Sequence, residues 1–86
     1  MATTAENDHD RRGLIRLMLK MPALRGRLQI LSATDPDLLS LCGAFEDASS
    51  MLERLRMKKG NMNHAAIAEY EELCVELEND IIRMCQ

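Results

Sequence analysis

At 86 residues the chain has room for one domain, whose core leaves a large share of the surface in water. Three cysteines are too few and too scattered for a disulfide framework, and no apolar run approaches the ~20 residues of a membrane span. The formal net charge of −3 conceals an asymmetry: acids without Lys or Arg in residues 1–10, bases without acids in 11–33, and a strong acidic excess in 34–86. A basic segment beside an acidic one finds its counter-charge inside the assembly and requires no external polyanion.

Residues 1–10 mix small, polar and charged types without periodicity and read as a disordered lead-in, with His9 in solvent; residues 11–86 read as a single helical domain. From about 12 to 33, Leu14, Leu17, Met18, Met21, Leu24, Leu28 and Leu31 fall on one stripe at 100° per residue. Pro22 interrupts it. An interior proline loses a backbone hydrogen bond at a cost of ~3 kcal/mol but is at ease in a first turn, so two short helices meeting near Pro22 are expected, with one kinked helix as the alternative.

Thr34-Asp35-Pro36-Asp37 is a helix start, with Thr34 or Asp35 as N-cap and proline in the first turn. Leu38, Leu41, Phe45, Ala48, Leu52 and Leu55 then step by three and four. Arg54, Arg56, Lys58 and Lys59 complement the dipole at the helix end, where Gly60 is the expected C-cap. After Asn61 or Asn63 a last helix carries Ile67, Tyr70, Cys74, Leu77, Ile81 and Met84 on one side. So short a connection folds the two helices back antiparallel. The fold class is therefore all-α: an antiparallel hairpin over about 36–59 and 63–85, with one or two shorter N-terminal helices, bundle-like. Leu38, Leu41, Phe45, Leu52, Leu55, Ile67, Tyr70, Leu73, Leu77 and Ile81 should be buried.

No constellation points to catalysis, a cofactor or a metal. With the turn near residue 61, Cys74 lies level with position 48 and Cys85 with position 37. Cys42 is then roughly 9 and 7.5 Å away along the axis at 1.5 Å per residue, too far for thiolates that must sit about 2.3 Å from one zinc. His64 at the turn is remote from Cys42 and Cys85, the single Glu-x-x-His pair, Glu6 with His9, falls short of the two a di-iron site needs, and the glycines form no phosphate-cradling loop.

What remains is surface. Arg12, Arg16, Lys20 and Arg27 gather on one side of the N-terminal segment, and Glu69, Glu72, Glu76 and Asp80 on one side of the last helix. Ridges of like charge are tolerated more readily when opposite charge answers them. Val75 and Ile82, with Ala68, form a second weak stripe that the hairpin cannot cover, and Ile15, Leu19 and Ile30 are off the main N-terminal stripe. Arg12, Arg16, Lys20, Arg27, Glu69, Glu72, Glu76, Val75 and Ile82 are the candidate interaction surface. These features predict a small non-catalytic regulatory or adaptor module, homodimeric, cytoplasmic, with free thiols and a protein partner. The alternatives are a nucleic-acid-associated regulator using the basic segment 11–27, and a small all-α enzyme. The absence of interleaved aromatics argues against the nucleic acid, and although the basic amphipathic stretch 13–20 could lie on an anionic membrane, Ile15, Leu19 and Ile30 are explained as well by packing between chains.

Overall fold

The computed structural model describes residues 4–58 and 63–86. Its elements are α1 (Thr4–Lys20), a 3₁₀ turn (Pro22–Leu24), α2 (Arg25–Thr34), α3 (Pro36–Met57) and α4 (His64–Cys85), with no strand among the described residues. Pro22 sets the first break. Met21 leaves helical angles at φ −127° and ψ 72°, and Pro22 opens the 3₁₀ turn, so there are two helices and no single kinked one.

At the next junction Asp35 is the N-cap of α3. Its carboxylate accepts from the backbone N–H of Asp37 at 3.0 Å and of Leu38 at 3.4 Å, with Pro36 in the first turn. The helix ends at Met57 with Lys58 as an extended C-cap, two residues before the expected glycine cap. Gly60 itself lies outside the described residues.

α3 and α4 run antiparallel, each 22 residues long. Ser49 lies level with Cys74, within one residue of where a turn near 61 places it, and the long side chains of Arg56 and Glu71 reach each other from positions five residues out of that register. Leu38, Phe45, Leu52, Leu77 and Ile81 are buried in the seam, while Leu41, Leu55, Ile67 and Tyr70 are half-buried. Leu73 departs from expectation. Cys74 takes the central position opposite Ser49, which turns Leu73 outward to 40% exposure.

The lead-in expected over residues 1–10 is corrected from Thr4 onward, where α1 begins. Two contacts hold its first turns on α3: His9 Nε2 lies 2.7 Å from Asp47 Oδ1, and the Asp10 carboxylate lies against Gly43. His9 is therefore engaged with α3 and not free in solvent.

Packing is tightest where all four helices meet. Leu17 from α1, Leu28 from α2, Leu38 and Cys42 from α3 and Ile81 from α4 have no exposed surface. α1 reaches this cluster because its backbone comes into contact with that of α3. A β-carbon built on Gly13 would collide with the carbonyl of Cys42, so only glycine lets the helices approach this closely. At Gly43 the obstacle is the end of the Asp10 side chain, which can swing aside.

Gly13→Ala is expected to destabilise the fold by about 2–3 kcal/mol in chemical denaturation. Gly26, whose β-carbon would meet nothing within 4 Å, should tolerate the same change with a gain of about 0.5–1 kcal/mol from helix propensity. Equal effects at the two sites would contradict the close approach of α1 to α3.

Candidate binding groove

α3 presents Phe45, Ser49, Leu52 and Arg56 on one stripe, since i, i+4, i+7 and i+11 share a helix face. This stripe is the floor of a groove of about 450 Å³, walled by Arg16 and Lys20 of α1 and by Cys74, Val75 and Glu78 of α4. Phe45, Ser49, Leu52 and Cys74 are buried beneath it, and Val75 is 54% exposed on its wall. The Ser49 hydroxyl finds the Cys74 sulfur at 3.8 Å.

Ion pairs rim the groove. Lys20 of α1 reaches across to Glu78 of α4, with its ammonium 6.0 Å from the Phe45 ring centroid. Arg56 pairs with Glu71 at the other end. Glu71 and Glu78 are seven residues apart, so the opening between the two pairs is about 10 Å, or two helical turns, long.

Arg16 is the hub of the α1 wall. Its Nε donates to Glu46 at 3.0 Å, and its other nitrogens reach Glu53 at 2.8 Å and Glu46 at 3.5 Å. Glu46 is 7% exposed and also accepts from the Ser50 hydroxyl at 3.0 Å. Burial opposes ionisation of this carboxyl, but hydrogen bonds from Arg16 and Ser50, with the Arg16 charge behind them, outweigh it and hold Glu46 below the usual carboxylate range.

Of the residues singled out from sequence, the groove brings together Arg16, Lys20 and Val75. Arg12 borders a separate depression with Tyr70 and Leu73. Arg27 is exposed on α2, Ile82 is half-buried, and Glu69, Glu72 and Glu76 are exposed along the outer side of α4. The two ridges do not pair with each other inside the chain. Arg16 and Lys20 choose Glu46, Glu53 and Glu78, while Asp80 pairs with Arg83 one turn away. Sequence reasoning missed Ser49 and Arg56 on the floor and Glu46 beneath the wall. Ser49 and Arg56 each follow a seam residue, Ala48 and Leu55, and so share an edge of the seam with Phe45 and Leu52; nothing local marks Glu46 as the partner of a residue thirty positions away.

Cys42 and Cys85 are poorly suited to nucleophilic chemistry. Burial, with Asp10 and Cys85 nearby, pushes Cys42 up to about 11, so it stays protonated at neutral pH. Burial also raises Cys85, against the opposing charge of Arg27. Among the described residues no three metal-ligating side chains converge and no helix is long and apolar enough to cross a membrane. Compared with protein families, curated proteins and solved structures, the chain finds no match.

A carboxyl whose pKa falls on folding contributes stability that is present above its ordinary value, here 4.5, and lost as the pH drops through the lowered one. Urea denaturation should therefore show stability falling as the pH goes below about 4.5, and Glu46→Gln should show a shallower acid-side loss. Equal slopes in the two proteins would contradict the assigned role of the Arg16–Glu46–Ser50 cluster.

Proposed function

We propose that this protein is a small non-catalytic interaction module, regulatory or adaptor in role, that receives an amphipathic helix of a partner protein in the groove between α1 and α4. The observation that carries this reading is the shape and chemistry of that groove: a two-turn floor of Phe45, Ser49 and Leu52 between charged walls, with Val75 exposed on one of them and an ion pair closing each end. Helix-in-groove recognition uses anchors at i, i+3 or i+4 and i+7, a span that matches the opening. α1 and α4 both lie against α3, and the space between them is where a further helix of a bundle belongs.

The walls also state what the partner helix should carry. One wall is basic through Arg16 and Lys20 and the other acidic through Glu71 and Glu78, so the partner should present acids toward α1 and bases toward α4. Its apolar anchors would cover Val75 and the edges of Phe45 and Leu52. Phe45 and Leu52 are already buried, so the gain comes mainly from the exposed half of Val75, about 1 kcal/mol, roughly fivefold in affinity.

Helical peptides selected from a display library against the purified protein test this directly. Bound peptides should perturb the amide resonances of Lys20, Ser49, Leu52 and Val75, and Val75→Arg, a change at an exposed position, should weaken them about tenfold or more while leaving the fold intact. Peptides that perturb other surfaces, or that bind Val75→Arg equally well, would refute the groove as the recognition site.

A further inference from the structure

α3 carries a second depression on its other edge. Ala44, Ala48 and Met51 lie along its floor, with Tyr70 and Leu73 of α4 on one wall and Arg12 of α1 on the other. It encloses about 550 Å³ and shares no lining residue with the groove over Phe45, Ser49 and Leu52. The floor is low because alanines stand at i and i+4, so only methyl groups occupy a helix face that longer side chains would fill. From Ala44 to Arg54 it runs ten residues, about 15 Å of helix, and its volume is that of a site for a small organic molecule.

The charges around this depression do not cancel. Glu46 is taken by Arg16 and by the Ser50 hydroxyl, and Asp47 Oδ1 lies 2.7 Å from His9 Nε2. Arg12 and Arg54 also line it, both exposed and neither in an ion pair among the described residues. Its acids are thus engaged while two guanidinium groups stand free at the rim of an apolar floor. A neutral apolar molecule would leave those charges unanswered, and a hydrophobic cation would be repelled by them. The complementary ligand is apolar in its body and anionic at one end, and the fork of N–H donors on a guanidinium suits a carboxylate and a phosphate equally.

We propose that this depression binds a small organic acid, a carboxylate or phosphate monoester with an apolar body, which lies on Ala44, Ala48 and Met51 beside Leu73 and presents its acid group to Arg12 and Arg54. Met51 is half-buried, and its unbranched thioether can fit itself to a chain or a ring. Because the two grooves have no residue in common, this site and the helix-binding reading fail independently.

Amide chemical-shift titrations of the full chain with decanoate and with decyl phosphate test the proposal. Both should produce saturable shifts at Ala44, Ala48, Met51 and Leu73, with dissociation constants on the order of 0.1–1 mM. Decyltrimethylammonium, which has the same chain and the opposite charge, should leave these amides unmoved, and inorganic phosphate, which has no apolar body, should bind at least tenfold more weakly. Arg12→Gln with Arg54→Gln changes exposed positions and should keep helical circular dichroism while weakening both acids about tenfold or more. Ala44→Leu, which fills the floor and leaves the charges in place, should weaken decanoate to a similar degree without strengthening inorganic phosphate. No saturable shift with either acid, equal binding of the cationic amphiphile, shifts centred on Phe45 and Leu52, or a folded double variant that binds decanoate as the wild type does would overturn the proposal. Inorganic phosphate that binds as tightly as decyl phosphate would also overturn it, since the apolar floor would then contribute nothing.

Discussion

The docking of α1 on the α3–α4 hairpin depends on how closely α1 approaches α3 at Gly13. With no β-carbon at residue 13, the backbone of α1 rests against the carbonyl of Cys42. Leu17, one turn on, can then enter the space shared by Leu28, Leu38, Cys42 and Ile81. The same approach places Arg16 over Glu46 and Glu53 and carries Lys20 across to Glu78. Moving α1 outward by the radius of a methyl group would lengthen all of these contacts together, which is why a single hydrogen atom at residue 13 matters to a groove wall several residues away.

The hairpin was largely legible in the sequence because it depends on local signals. A heptad-like seam, an Asp-Pro start and the clustered bases near the end of α3 each act within a turn or two of where they occur. The placement of α1 was not legible in the same way. Gly13 looks like a weak point in its own helix, and only its tertiary contact with the Cys42 carbonyl gives it a purpose. The first turns of α1 were misread for a related reason: residues 4–10 have no apolar periodicity, and what holds His9 and Asp10 in place is polar contact with α3. The groove was partly legible. Arg16, Lys20 and Val75 stood out by their spacing, whereas their partners Glu46, Glu53 and Glu78 are defined by tertiary contact alone.

Charge and burial have separate tasks here. Exposed pairs such as Arg56 with Glu71 contribute about 0–1 kcal/mol each and do little to hold the fold together. Glu46 differs, because it is buried and every one of its contacts is needed to offset its desolvation. The aliphatic cluster drives collapse, and the Arg16–Glu46 contact selects the rotation of α1 that places its basic side toward the groove. That division explains how a chain of net charge −3 keeps a concentrated basic stretch beside its acidic body: part of it is answered within the chain, and Arg11, Arg12, Arg25 and Arg27 stay on the outside.

Native-state hydrogen exchange of α1 is the most direct measure of whether the glycine approach unites the fold. If α1 is locked onto α3 at Gly13, the amides of Leu17 and Met18 should exchange only through global unfolding, with the same opening free energy and denaturant dependence as Phe45 in α3. Exchange at Leu17 through a local opening, at a free energy well below that of Phe45, would show that α1 is a loosely docked helix and that the α3–α4 hairpin stands without it.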